Sequence, residues 1–329
     1  MKATIGALLL MVLVGCSSEP SPAKPADEWV EDRAGLSAGL FAVWSDQTGP
    51  LWAVGADDGD GPMLLSRPLG ASGEWTRVDM SAHPGDLWWI CGAGADVRYL
   101  VGAGGRVLRW DRSTAQFKAM ETPTKRTLYG CWAADAEHIW AVGGDPKGLE
   151  AGVVMMSDGV TWTEVTELPP SPAGASFFKV WGTSATDVRV INSVGQSLHF
   201  DGSTWTRDDL TTEQRLITIH GDGELTVIVG GTGNGAVFER RDGKWEDRSP
   251  EAIQALNGVF VRGDRRFAVG FRGTLIDGDD TGWTLRDETP TDLDLHGVFI
   301  DATGTGWAVG GNLFASPPDD GVILRRPPQ

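Results

Sequence analysis

The chain has 329 residues, of which 41% are hydrophobic and 22% charged, and its formal net charge at pH 7 is −17. Lys and Arg are not clustered into the basic stripe that phosphate binding requires, so the composition argues against a nucleic-acid partner. An acidic surface is typical of a soluble, self-repelling protein and does not by itself indicate a cation site.

The first sixteen residues have the pattern of an export signal. Lys2 supplies a positive start, and the apolar run 3–14 is shorter than the ~20 residues of a membrane-spanning helix. The run ends in Leu-Val-Gly-Cys at residues 13–16, which resembles the lipobox of bacterial lipoproteins. The resemblance implies cleavage before Cys16 and acylation of that residue, which would attach the protein to a membrane. The alternative is a buried cysteine that happens to follow an apolar run.

Ser17 follows the cysteine, and in lipoproteins this implies the outer membrane. The expected location is therefore the cell envelope, either periplasmic or surface-facing. Residues 17–27 are rich in Pro, Ser and Ala, which predicts an extended tether with a reach of about 35 Å. Residues 28–329 contain no second linker, and we expect them to form one domain.

Tryptophan recurs in register along the domain, with 15 Trp against two Tyr. One unit starts at Val43-Trp44 and contains four short apolar or alternating runs separated by turn residues, which predicts four strands. Six further starts follow at Ile90-Cys91, Cys131-Trp132, Val180-Trp181, Ile219-His220, Val259-Phe260 and Val298-Phe299. Their spacing is close to the ~40 to 45 residues of a propeller blade. The sequence therefore predicts an all-β, seven-bladed β-propeller of four-stranded antiparallel blades.

The seventh unit ends near Arg325 without a fourth strand. The segment around Trp29 matches the fourth strand of the first unit around Trp75, so we expect the N-terminal strand to complete the last blade. Such a closure removes the open sheet edges that favour aggregation, and we expect a monomer.

A turn of the form Asp-Gly precedes several fourth strands, at Asp158, Asp201 and Asp242, and a Trp follows it. Asp-Gly suits a tight hairpin because it tolerates positive φ, and we expect the Trp to fill the gap between blades. On these motifs, residues 28–326 resemble bacterial extracytoplasmic propellers with BNR or Asp-box-like repeats, including those related to photosystem II assembly and stability factors. The resemblance implies the fold and leaves the function open.

No catalytic or metal site can be assembled from the sequence, and we expect no bound cofactor. The five histidines are scattered without ligand spacing, and the Asp-rich segment 57–61 lacks the distant Glu of a calcium loop. A sialidase-like site would need Tyr with Glu and an arginine clamp. Tyr99 stands in a packing position, no Glu neighbours Tyr129, and Arg98 and Arg189 lie in unrelated frames.

Cys91 and Cys131 fall in the first strands of neighbouring blades. A disulfide between them is one hypothesis, since inner strands approach near the axis and the expected compartment is oxidising. The hypothesis that the sequence favours is two separate buried thiols, because cysteine packs as a compact hydrophobe.

The candidate ligand site lies where the first strands begin, beside the mouth of the central channel. Two residues before each start stands one member of what we term the ring: Phe41, Trp88, Tyr129, Phe178, Ile217, Asn257 and His296. Small residues follow four of them, which indicates crowding near the axis. An aromatic and polar ring suits a peptide, a sugar or a small ligand, but the same side chains could simply cap the inner core.

The long loops 144–152, 166–176 and 311–321 are expected on the same face. We therefore expect a non-enzymatic, lipid-anchored recognition or scaffold module that binds a protein or an envelope polymer there. The alternatives are a carbohydrate-active enzyme of sialidase-like or lyase-like type, and an assembly factor for a membrane complex. An enzyme should gather at least three convergent ionisable groups at the channel mouth, whereas a binding module should present an aromatic or mixed patch.

Overall fold

The computed structural model describes residues 27–70, 73–145 and 147–328. These residues form seven four-stranded antiparallel sheets, which confirms the predicted propeller. Residues 1–26, with the predicted lipidation site at Cys16 and nearly all of the tether, lie outside the described part of the chain. Among the described residues, no helix has the length and apolarity needed to cross a membrane.

The strands follow the predicted repeat from the axis outwards. The chain begins with β1 (Val30–Leu36), which belongs to blade 7. Blades 1 to 3 comprise β2 (Leu40–Trp44), β3 (Leu51–Asp57), β4 (Pro62–Arg67), β5 (Thr76–Arg77), β6 (Leu87–Ala93), β7 (Val97–Gly102), β8 (Val107–Asp111), β9 (Gln116–Met120), β10 (Thr127–Ala133), β11 (Ile139–Gly144), β12 (Val153–Ser157) and β13 (Trp162–Glu164). Blades 4 to 7 comprise β14 (Phe177–Ser184), β15 (Asp187–Asn192), β16 (Ser197–Phe200), β17 (Trp205–Arg207), β18 (Leu216–Asp222), β19 (Leu225–Thr232), β20 (Asn234–Arg241), β21 (Lys244–Asp247), β22 (Leu256–Arg262), β23 (Arg265–Gly270), β24 (Leu275–Gly278), β25 (Trp283–Leu285), β26 (Asp294–Ile300), β27 (Gly306–Asn312) and β28 (Asp319–Arg326).

The N-terminal strand closes the ring of blades, as predicted. Strand β1 is antiparallel to β28, with Val30 opposite Arg325 and Leu36 opposite Gly321. Trp29 is 4% exposed and packs edge-on against Phe267 of blade 6, with ring centroids 5.2 Å apart. The last blade therefore combines three strands from the C-terminus with one from the N-terminus.

The buried apolar side chains form seven clusters in the described residues, one between each pair of neighbouring blades. The aromatic residue of a fourth strand contacts the second strand of the preceding blade. Such pairs are Trp75 with Trp307, Phe117 with Trp52, and Trp162 with Tyr99. This confirms that these residues fill the gaps between blades, and that Tyr99 packs in place of a Trp.

Glycine near the end of most second strands is required by a close backbone approach. A Cβ at Gly143 would lie 2.0 Å from the carbonyl oxygen of Thr127, at the start of the first strand of the same blade. Equivalent glycines with the same approach are Gly55, Gly102, Gly230, Gly270 and Gly310. The first strands therefore begin, and the second strands end, on one face, which we term the ring face.

The Asp-Gly turns are not all of the predicted type. Only in the two-residue turn of blade 5 do both residues have positive φ, 49° at Asp242 and 79° at Gly243. In blades 3 and 4 the loops are longer, and the Asp side chain organises them instead. Asp158 accepts hydrogen bonds from the amides of Val160 and Thr161. This is the Asx-turn role of aspartate.

Candidate functional site

A β-bulge stands near the start of all seven first strands. In β2, Leu40 pairs with Gly55 and Ala42 with Val54, so that Phe41 is the extra residue. The same one-residue shift occurs at Trp88, Tyr129, Phe178, Ile217, Asn257 and His296. A bulge re-aims the side chain of the extra residue. The ring is therefore the set of seven bulge residues, one from each blade.

Five members of the ring form a continuous aromatic arc. Phe41 is stacked on Trp88 with centroids 4.1 Å apart, and Trp88 meets Tyr129 edge-on at 5.2 Å. Tyr129 meets Phe178 at 5.5 Å, and His296 meets Phe41 at 5.7 Å. Phe41 is only 1% exposed, whereas the other four are half-buried. The arc thus closes part of the channel mouth and also offers rigid aromatic surface to a ligand.

Asn257 does not join this surface. It is 6% exposed, and its side-chain amide donates to the Leu295 carbonyl at 2.9 Å. Its backbone carbonyl accepts from the Thr218 hydroxyl at 2.5 Å. These bonds link the first strands of blades 5, 6 and 7 around the axis. Asn257 therefore has a structural role, and the predicted polar side of the ring is reduced to His296.

The crowding predicted beside the ring is present. A Cβ at Gly130 would lie 2.7 Å from the Phe178 carbonyl oxygen, and one at Gly258 would lie 2.5 Å from that of His296. Neighbouring first strands therefore approach each other closely at the axis, and the small residues that follow the ring positions allow this approach.

A buried lysine that the sequence did not single out lies next to the ring. Lys179 is 3% exposed, and its Nζ donates to the Tyr129 carbonyl at 2.8 Å. The same atom lies 4.0 Å from the centre of the Trp89 ring, within cation–π range. Burial lowers the pKa of Lys179 to about 7. Burial and the neighbouring Lys179 charge together lower the pKa of His296 to about 3.

Three ionisable groups therefore meet at the channel mouth, Tyr129, His296 and Lys179, which is the number expected of an enzyme, so their bonding has to decide between the two hypotheses. Burial raises the pKa of Tyr129. His296 donates through Nδ1 to the Phe41 carbonyl at 2.6 Å, and Lys179 bonds to a carbonyl, so both bonds hold strands together. In the described residues no carboxylate forms a hydrogen bond or ion pair with these three groups. The paired carboxylates typical of glycoside hydrolysis are thus not assembled among them.

Arg98 and Arg189 are both paired with carboxylates. Arg98 forms a buried ion pair with Asp46 at 2.6 Å and lies over the ring of Trp110. Arg189 is bonded to Asp187 and Asp208. The two arginines lie in different blades and do not form a clamp.

The Asp-rich segment after β3 uses its carboxylates internally. Asp58 pairs with Arg77 and accepts from Ser37, and Asp57 accepts from backbone amides. No group of three or more His, Cys, Asp or Glu side chains with metal-binding geometry occurs in residues 27–70, 73–145 and 147–328.

Cys91 and Cys131 form a disulfide, with their Cα atoms 5.8 Å apart. The favoured hypothesis of two separate thiols was therefore wrong. The bond joins β6 to β10, the first strands of blades 2 and 3. Both side chains are buried, so the compact packing expected of cysteine is retained.

The three long loops lie on the ring face, as expected, since they connect second to third strands or one blade to the next. Loops of blades 3 and 4 touch each other: the Gly152 amide donates to the Ala175 carbonyl at 2.7 Å. Phe314, in the blade 7 loop, is exposed and stacks on Phe271. The ring is thus surrounded by loops that carry both charged and apolar side chains.

Together these features define a closed seven-bladed β-propeller with an aromatic, bulge-derived surface at one end of its axis. No protein-family model matches the chain, and no curated protein matches its sequence. Solved structures do match. The structure of YCF48 bound to a D1 peptide has a TM-score of 0.67 and 13% identity, over 94% of this chain and 99% of that one.

Two further structures show the same architecture. YCF48 from Cyanidioschyzon merolae has a TM-score of 0.65 at 13% identity and covers 91% of this chain and 98% of its own. The WD40 propeller domain of Doa1 has a TM-score of 0.65 at 8% identity, over 90% of this chain and 96% of that domain. At these identities the similarity establishes the fold, and it extends over nearly the whole length of each chain.

Proposed function

We propose that this protein is a non-enzymatic, lipid-anchored recognition module of the bacterial cell envelope whose ring binds a peptide segment of a partner protein. The observation that carries the proposal is the sevenfold bulge. It places Trp88, Tyr129 and Phe178 side by side, half-exposed, at the centre of one face. Rigid aromatic side chains supply large contact area with little loss of conformational entropy, which is typical of binding hot spots.

The structural neighbours support a peptide as the ligand class. One of them is YCF48 bound to a D1 peptide, so a propeller of this architecture can serve as a peptide-binding scaffold. An envelope polysaccharide is the other candidate for an aromatic surface, and the experiment below separates the two. The enzyme alternative is less favoured, because Lys179 and His296 bond to backbone carbonyls and no carboxylate of the described residues pairs with either of them.

The ring hypothesis is tested by capture from detergent-solubilised envelope with a photo-crosslinking phenylalanine analogue at Phe178. We expect the double variant Trp88→Ala/Tyr129→Ala to lose about 2 kcal/mol of binding free energy, roughly a thirtyfold loss in affinity, since buried aromatic contacts each contribute ~1 kcal/mol or more. Val160→Ser, at a 79% exposed residue on the opposite face, is the matched control.

A protease-sensitive crosslinked product that disappears in the double variant, but not in the control, would support a protein ligand. A protease-resistant product would instead indicate a polysaccharide. Capture that is unchanged in a correctly folded double variant would place the site in the surrounding loops and contradict the ring hypothesis. Thermal unfolding of each variant provides the fold control, because Trp88 also packs on Phe41.

The anchor would orient the ring away from the membrane. Strand β1 runs from Val30, opposite Arg325, to Leu36 near the ring face, so the chain enters the propeller on the opposite face. A lipid on Cys16, with a tether of about 35 Å, would then hold that face towards the bilayer.

Cys16→Ser should move the protein from the membrane fraction to the soluble fraction. Its propeller should unfold at the same temperature as the wild type, because Cys16 precedes the strands of the propeller. A Cys16→Ser variant that is still extracted only with detergent would contradict the anchor.

A further inference from the structure

Below the ring, the axis of the propeller encloses a cavity of about 200 Å³. It extends from Lys179 and Thr218, next to the ring, to Ser45 and Gln47 near the opposite face. At ~30 Å³ per water molecule, its volume corresponds to about seven waters. The ring side chains do not line it. The cavity therefore suits a small organic molecule and is separate from the surface proposed to bind a peptide.

The wall of the cavity is mainly apolar, and six Trp and Phe side chains contribute to it. Its aromatic side chains are Trp44, Trp89, Trp132, Trp181, Phe260 and Phe299. Of these, Trp44, Trp89, Trp132 and Phe260 are half-buried, so solvent reaches the cavity. Flat apolar walls with a few polar groups are typical of small-molecule sites. The body of a ligand held here should be apolar or aromatic.

The polar group at the inner end is the ammonium of Lys179. It is bonded to one carbonyl and faces the Trp89 ring, and no acidic side chain of the described residues pairs with it. A buried ammonium without a counter-ion is costly, which accounts for the low pKa of this group. The Lys179 charge also lowers the pKa of His296 across the axis. This end of the cavity therefore lacks negative charge.

The other side chains of the cavity that face Lys179 do not supply a negative charge. Nδ1 of His220 accepts a hydrogen bond from the Val261 amide at 3.1 Å, and burial lowers its pKa to about 4, so it is neutral near pH 7. The Thr218 hydroxyl already donates to Asn257, and the Cys91–Cys131 disulfide does not titrate. At the far end the Gln47 side-chain oxygen is buried without a hydrogen-bond partner.

We infer that the axial cavity is a binding site for a small monocarboxylate with an apolar or aromatic body. The carboxylate would pair with Lys179 Nζ, and the body would lie against the tryptophans. A polar donor on the body could reach the free oxygen of Gln47. The inference does not rest on the peptide-binding function of the ring, because different side chains carry the two sites.

Benzoate and benzamide are suitable probes, since they have nearly the same shape and differ in charge. We expect benzoate to bind saturably and to quench the tryptophan fluorescence of the cavity, and benzamide to bind at least tenfold more weakly. Lys179→Met, which keeps an apolar chain of similar length, should weaken benzoate binding at least tenfold. Lys118→Met, on the outer strand β9, is the matched control and should bind benzoate like the wild type.

The pH dependence gives a second, independent readout. Benzoate should bind the protonated form of Lys179, so its affinity should be constant from about pH 7 down to the range in which the benzoate carboxylate is protonated, and should fall roughly tenfold per pH unit above about pH 7. In NMR titrations of the lysine side chains, bound benzoate should raise the pKa of Lys179.

Equal binding of benzoate and benzamide would overturn the proposal. So would unchanged benzoate binding by a folded Lys179→Met variant, or no saturable binding of either benzoate or acetate at about 10 mM. The single ring variant Trp88→Ala, whose side chain does not line the cavity, should retain benzoate binding. Failure of the ring hypothesis and failure of the cavity hypothesis are thus distinguishable.

Discussion

Single residues at the axis hold the blades together through bonds to main-chain carbonyls and amides. His296 bonds to Phe41 of the next blade, and His220 accepts from Val261 and stacks on Phe260 with centroids 3.9 Å apart. Burial lowers the pKa of both imidazoles, to about 3 and about 4 respectively. Both histidines are therefore neutral in the folded protein near pH 7, and protonating either one would place an uncompensated charge at the axis.

These two histidines should make the propeller acid-sensitive in a defined pH window. Near pH 6.5 and below, these two imidazoles bind protons in the unfolded chain but not in the folded protein. The free energy of unfolding should therefore fall as pH falls below 6.5. The slope should be at most about 1.4 kcal/mol per pH unit for each imidazole. Between pH 6.5 and 5, above the range of ordinary carboxylates, urea unfolding should reveal this loss.

His220→Phe or His296→Gln should flatten that slope. Each variant removes one imidazole, so the loss of slope measures the contribution of that histidine. Val160→Ser, at an exposed residue without a titratable side chain, is the control and should keep the wild-type slope. A wild-type protein whose stability does not change between pH 6.5 and 5 would contradict the burial of neutral histidines at the axis.

At the scale of elements, the N-terminal strand is a blade junction like the others. Trp29 inserts against Phe267 just as Trp75 inserts against Trp307, with centroids 5.2 and 5.7 Å apart. What differs is the covalent connection between the fourth strand and its blade. Other fourth strands are joined to their blade by a loop of the same chain segment, whereas β1 is held to β28 by hydrogen bonds, packing and the Asp32–Arg325 ion pair. The closure is therefore the junction where loss of packing should matter most.

Trp29→Ala should destabilise the protein by about 3–5 kcal/mol, the range for large-to-small substitution of a buried tryptophan. Urea unfolding measures this loss. Size-exclusion chromatography should show oligomers as well, because release of β1 uncovers the edge of β28. Trp205→Ala, at the equivalent but half-buried position of blade 4, should cost less and stay monomeric. Equal effects of the two substitutions would contradict a special role for the closure.

At the scale of the whole molecule, the architecture was predictable because its signal is local and repeated. Each strand is a short run marked by its own turn residues, and the match between Trp29 and Trp75 indicated the closure without any long-range information. The positions of the ring residues followed from aligning the seven repeat units with one another. Their common bulge did not, since Phe, Trp, Tyr, Ile, Asn and His share no sequence mark for an extra residue.

Features that depend on distant segments were not predictable. Lys179 lies in an ordinary strand pattern, and it is buried by Trp89 and Tyr129 of other blades. The choice between thiols and a disulfide for Cys91 and Cys131 required the separation of two strands, which the sequence does not contain. Asn257 was placed with the ligand-binding residues because its position in the repeat is right, but its side chain turns towards Leu295.

The shared seventh blade also fixes where both chain ends lie. Because Val30 pairs with Arg325, the segment that precedes the propeller and the residues that follow Arg326 emerge side by side on the face remote from the ring. A fluorescent protein or an affinity tag joined to the C-terminus would lie on this remote face and leave the aromatic arc unobstructed. Both ends of the propeller are therefore suitable for attaching a label, whereas the arc residues all lie within the sequence.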